Sequence, residues 1–145
     1  MADAIGLGAS VVAFIGLAGQ VLQGCAYIRE VVDNVQDADR DILTLRRDVH
    51  HFELTINSVR DLLNLLDNSG LPLKSNSHLL SVEAALSTSR KSVEDVQQFI
   101  LLNYRPNKRR TKFKMVFGKG KHEKCVEKIR TAKQDVGIAQ ACVTL

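Results

Sequence analysis

The amino-acid sequence predicts an all-α protein, a four-helix-type bundle with heptad-like packing and a basic irregular segment before its last helix. Three observations lead there. Apolar residues recur in alternating steps of three and four over long stretches. Turn-forming residues interrupt that rhythm at a few places only. The chain has two prolines, seven aromatics and no tryptophan, which suits helices better than a sandwich or barrel. A chain of 145 residues that is 45% hydrophobic predicts one domain, 1–145, with a core that needs no disulfide or metal staple.

The first helix is expected from about Asp3 to Asn34, with Asp3 as a possible cap. No charged residue occurs from Ala4 to Ile28. A helix rises about 1.5 Å per residue, so this stretch reaches about 37 Å and could cross a hydrocarbon core of about 30 Å. Ile5, Leu7, Val11, Val12, Phe14, Ile15, Leu17, Val21 and Leu22 are the candidate membrane-inserting residues. They spread over several faces rather than forming one stripe. Gly6, Gly8, Gly16, Gly19 and Gly24, with the polar Gln20 and Gln23, equally fit a close-packed helix at the centre of a bundle. A helix packed at rest and released into a bilayer on activation reconciles the two.

The second helix carries the clearest pattern. Ile42, Leu45, Val49, Phe52, Ile56, Val59, Leu63 and Leu66 form a heptad seam, with Asp41, Arg46, Arg47, Asp48 and Arg60 on other faces. Asp67, Asn68, Ser69, Gly70 and Pro72 end it. The third helix is expected from near Ser77, with Leu79, Val82, Leu86, Val93, Val96 and Ile100 on its seam and Ser89 interrupting it. Tyr104–Asn107 stop it. A stretch alternating basic and apolar residues follows, either irregular or strand-like, then the Gly118–Gly120 turn. The fourth helix is expected from near Lys121, with Cys125, Ile129, Ala132, Val136, Ala139 and Val143 as its stripe. That stripe still runs at Leu145, so the domain is expected to continue into, or come from, a longer signalling protein.

Charge is unevenly placed. Residues 1–104 hold 8 Lys/Arg against 13 Asp/Glu, whereas residues 105–130 hold 11 against 2, within a net charge of +4. Lys108, Arg109, Arg110, Lys112, Lys114, Lys119 and Lys121 are the candidate contacts for anionic lipid, each worth on the order of 1 kcal/mol near an acidic leaflet. Phe113, Met115, Val116 and Phe117 among them could enter an interface or cover the bundle. A solvated loop is the bland alternative. Nucleic acid is a less favoured partner, because no stacking platform or reading module accompanies the charge.

Chemistry is sparse. Cys25, Cys125 and Cys142 are odd in number, widely spaced and without CxxC, which predicts reduced thiols in a cytosolic setting. Asp3 replaces the basic start of a secretory signal. His50 and His51 are adjacent on a helix, so they face about 100° apart and cannot clamp one metal together. Gly6–Val11 lacks the third glycine of a dinucleotide fingerprint, and Gly118–Lys121 lacks P-loop spacing. No enzyme activity, cofactor or metal is expected.

Two stretches resemble a known family. Ile5–Cys25, IGLGASVVAFIGLAGQVLQGC, resembles the opening of fungal SesA or HeLo-like domains. Lys112–Gly118, KFKMVFG, before a lysine-rich helix start, is similar to a second landmark there, with Phe117 standing near where a tryptophan is often found. The resemblance implies a helical bundle like the four-helix domain of the mixed-lineage kinase domain-like necroptosis protein. It implies a place ahead of NACHT or NB-ARC ATPase modules in NLR-like STAND proteins. It further implies homo-oligomerisation on activation, movement from cytoplasm to plasma membrane, and cell death in non-self recognition. The competing expectation is a protein–protein adaptor of such a receptor, without membrane activity.

Overall fold

The computed structural model describes residues 2–35, 40–69, 76–106, 113–115 and 119–144. Four long helices account for nearly all of them: α1 (Ala2–Asp33), α2 (Arg40–Ser69), α3 (Asn76–Asn103) and α4 (Lys119–Thr144). Between α3 and α4, β1 (Tyr104–Pro106) pairs antiparallel with β2 (Phe113–Met115), Tyr104 opposite Met115. The alternating stretch is therefore strand-like where it is described.

The heptad seams became the core. In α2, Ile42, Leu45, Val49, Phe52, Ile56, Val59 and Leu63 are buried, and Leu66 packs partly against them. In α3, Val82, Leu86, Val93, Val96 and Ile100 are buried, as are Cys125, Ile129, Ala132, Val136 and Ala139 in α4. Burying such a side chain is worth about 1.5–3 kcal/mol each, so this shared interior is the main stabilising term. Ser89 stands in the α3 seam fully buried, and its hydroxyl has no hydrogen-bond partner.

Each helix has two neighbours, in the cyclic order α1, α2, α4, α3. Polar contacts give the directions. Arg29–Glu53 and Asp33–Arg46 make α1 and α2 antiparallel. Gln20–Arg90 and Gly24–Gln97 make α1 and α3 parallel. Asp48–Arg130 and Ser58–Gln140 make α2 and α4 parallel. The chain thus runs up, down, up, down, and passes from α2 to α3 across the diagonal.

Three expectations for α1 need correction. It is one wall of the bundle rather than a central helix, because four helices of similar length share one core. It also presents a single buried stripe: Val11, Phe14, Ala18, Val21, Cys25, Ile28 and Val32 step by three and four like the other seams. Flanking apolar residues obscure that stripe in the sequence. Asp3 lies inside the first turn of α1 rather than capping it, a position where a negative charge still suits the helix dipole. At the far end, Asn34 donates its amide Nδ2–H to Glu30 O at 2.9 Å and its backbone N–H to Val31 O, which closes the helix.

Candidate membrane-contacting surfaces

Helix α1 divides the candidate inserting residues between its faces. Val11, Phe14 and Val21 are buried, whereas Ile15, Leu17 and Leu22 pack partly against the core. Val12 is 57% exposed and belongs to an outer face with Ala13, Gly16, Gln20, Gln23 and Ala26. For Ile5 and Leu7 only the helical backbone is described. The outer face, which also includes Tyr27, carries no charge from Val12 to Ile28, so it differs from an ordinary solvated helix face. Among the described residues one helical span, Val11–Asp33, is long and apolar enough to cross a membrane, and 39% of it is buried in the bundle.

The glycines of α1 have different roles. A Cβ at Gly24 would collide with Val93 Cγ1 on α3, so a side chain here would force Val93 to shift. Gly24 O also accepts a hydrogen bond from Gln97 Nε2 at 3.4 Å. Gly16 and Gly19 meet nothing within 4 Å. Close helix approach therefore explains Gly24 and not those two.

The ion pairs of α1 sit at one end. Arg29 Nη1 lies 3.0 Å from Glu53 Oε2, and Arg46 Nε lies 2.8 Å from Asp33 Oδ1. Both pairs lie beyond Ile28. Upstream, the chargeless stretch has apolar packing, the Gly24–Gln97 bond, and Gln20 Oε1 accepting from Arg90 Nη1 at 3.1 Å.

Three of the basic candidates, Lys114, Lys119 and Lys121, lie at that same end. Because the helices alternate in direction, the α1 C-terminus, the α2 N-terminus, the α3 C-terminus and the α4 N-terminus lie together. Lys114 is in β2, with Arg105 as its cross-strand partner, and Lys119 and Lys121 are in the first turn of α4. For these three only the backbone is described. Lys108, Arg109, Arg110 and Lys112 lie outside the described residues, as do Val116 and Phe117. Lysines in a first turn oppose the helix dipole, which makes this end locally richer in uncompensated positive charge. The N-terminus of α1 lies at the opposite end, about 48 Å away by helix length.

The two described cysteines are poorly suited to nucleophilic catalysis. Burial pushes the Cys25 thiol up to about 12, aided by Glu53 and opposed by Arg29. Burial likewise pushes Cys125 up to about 11, opposed by Lys128. A nucleophilic cysteine needs the reverse shift. Both thiols are free, and Cys142 has no described side chain. His50 and His51 have ring centroids 6.3 Å apart and tilted by 45°. Among the described residues no group of three or more His, Cys, Asp or Glu could hold a metal ion. Comparison of the chain with protein-family models, curated proteins and solved structures finds no match.

Proposed function

We propose that this chain is a cell-death signalling domain that oligomerises when triggered and permeabilises the plasma membrane, resting in the cytoplasm until then. The observation that carries the reading is the chargeless Ala4–Ile28 stretch of α1, whose exposed residues from Val12 to Tyr27 are small, apolar, amide or aromatic and carry no charge. The likeness of Ile5–Cys25 to SesA and HeLo-like openings supports it, and points to an NLR-like ATPase module as the partner in cis or in trans.

The placement of the two surfaces favours a simple movement. Release of α1 from Ala4 to Ile28 breaks no ion pair, since that stretch has none to break. Exposing Val11, Phe14, Val21 and Ile28 to water would be unfavourable by about 1.5–3 kcal/mol each, and lipid removes that penalty. Arg29 and Asp33 then act as the hinge. The hinge lies at the basic end, so headgroup contact and helix insertion can serve one membrane.

Dye release from anionic and neutral liposomes tests this, using residues 1–145 beside Val12→Lys and Gly16→Lys. Both positions are exposed, so the variants fold, yet a lysine deep in a bilayer is costly. Leakage that needs anionic lipid and is lost in both variants supports the reading. The tight Gly24–Val93 contact favours a second one, in which α1 stays in the bundle and the domain recruits an effector as an adaptor. Unimpaired leakage from folded lysine variants excludes insertion by α1, and no leakage from the clustered wild-type domain moves the weight to the adaptor.

A further inference from the structure

The outward line of α2 carries a symmetric pattern. Leu43, Leu54 and Leu65 are 50%, 56% and 68% exposed. They recur every 11 residues. That step is three helical turns and about 20°, so the three stand about 16 Å apart on one line. The line points away from the buried seam of Ile42 to Leu63. It also avoids both neighbouring helices, which α2 meets through Arg46 and Glu53 towards α1 and through Asp48 towards α4. Arg47 and Asp61 stand exposed between the leucines, seven residues to either side of Leu54. Outward from Leu54 the two directions therefore read base then leucine, and acid then leucine. Within one chain about 21 Å of helix separates Arg47 from Asp61. Arg47 Nε is 3.9 Å from Asp48 Oδ1, beyond hydrogen-bond reach, and Asp48 gives its other oxygen to Arg130 at 3.0 Å. A lone exposed leucine carries no information. Three on one line, flanked by opposite charges at equal distances from the middle one, make a self-complementary edge.

We infer that two copies of this chain pair through α2, antiparallel, about a two-fold axis at Leu54. Leu54 then meets Leu54 of the second copy, Leu43 meets Leu65, and Arg47 meets Asp61, the last two contacts each made twice. A parallel pair would set Arg47 on Arg47 and Asp61 on Asp61, so the charges select the antiparallel arrangement. The strip is one helix wide and about 33 Å long from Leu43 to Leu65. That is narrower than a standard interface of about 1,600 Å², so a dissociation constant on the order of 10–100 μM is expected. Such a pair uses its own surface up and stops at two copies. It forms without trigger or lipid, which separates it from an activated assembly. Helix α1 contributes nothing to the line, so the pairing does not depend on whether α1 enters a bilayer.

Sedimentation equilibrium of the full 145-residue chain, without lipid, tests this over roughly 1 μM to 1 mM. The 16.0 kDa chain should reach twice its mass and stop there. Leu54→Glu sets two carboxylates against each other on the axis and should weaken pairing about thirtyfold. Its position is exposed, so it should melt like the wild type. Arg47→Asp, which opposes Asp61 with a like charge, should weaken pairing about tenfold. Arg47→Asp combined with Asp61→Arg should return to within about threefold of the wild type. The combined variant carries the same change beside Asp48, so its recovery reports the contact between copies rather than folding. Leu80→Glu, on α3 and 60% exposed, should leave the constant within about twofold. A wild type still monomeric at about 1 mM, or a mass that rises past two copies, overturns the assignment. So does pairing unmoved in Leu54→Glu, or a charge swap no better than Arg47→Asp alone.

Discussion

Arg29 Nη1 on α1 lies 3.0 Å from Glu53 Oε2 on α2, while the second carboxylate oxygen, Oε1, is buried without a hydrogen-bond partner. The pair is thus half satisfied. Burial is the main cause that pushes the Glu53 carboxyl above its ordinary 4.5, with Arg29 and His50 pulling it down. The folded state holds this proton more tightly than the unfolded chain does, so between 4.5 and the raised folded value the group adds stability as pH falls and removes it as pH rises. Glu53→Gln is expected to melt at or above the wild type at pH 7, with its advantage shrinking as the buffer approaches pH 4.5. Thermal melts of both proteins across that window check it; an advantage that grows on acidification refutes it.

Gly24→Ala should destabilise the bundle by about 1–3 kcal/mol, because its methyl would overlap Val93. Gly16→Ala, in open space, should add about 0.5–1 kcal/mol through helix propensity. Val93→Ala made together with Gly24→Ala should recover part of the loss, a coupling that a denaturant double-mutant cycle measures.

Ser89→Ala should raise stability by about 1 kcal/mol. The hydroxyl is buried and unpartnered, so removing it relieves desolvation and leaves a small residue in the same seam. A lower denaturant midpoint for the variant would show that the hydroxyl has a role in the folded state.

Val12→Lys and Phe14→Lys separate folding from membrane entry. Val12 is exposed and Phe14 is 6% exposed. In water, Val12→Lys should change stability by no more than about 0.5 kcal/mol. Phe14→Lys should lose about 3–5 kcal/mol from the core, so leakage lost in that variant reports unfolding. In a bilayer centre a lysine costs about 2.5–3.5 kcal/mol, so Val12→Lys should keep its melting temperature and lose liposome leakage.

The helices and their inward faces were legible in residue order. The step pattern of α2 placed Ile42 to Leu63 in the core, and the Asp67–Pro72 cluster marked its end within a few residues of Ser69. The α1 stripe from Val11 to Val32 had the same rhythm, yet Val12, Ile15, Leu17 and Leu22 beside it are also apolar, so periodicity alone could not single it out. The meeting of Arg29 with Arg46 and Arg47 was less legible still. Arg29 is separated from Arg46 and Arg47 by a helix end and a connection, and only antiparallel packing of α1 on α2 brings them to one rim.

Seams of this kind dictate which face of each helix turns inward, because apolar side chains at alternating three- and four-residue steps can leave water only by sharing a core. They do not say which helix lies beside which, since one leucine-lined seam accepts another almost equally well. That choice fell to unique features that meet only in three dimensions: Gly24 receiving Val93, Arg29 finding Glu53, and Arg130 finding Asp48. The same packing sets the chargeless start of α1 and the described basic residues Lys114, Lys119 and Lys121 at opposite ends, and leaves Ser89 without a partner, because those outcomes depend on what the neighbouring helices supply.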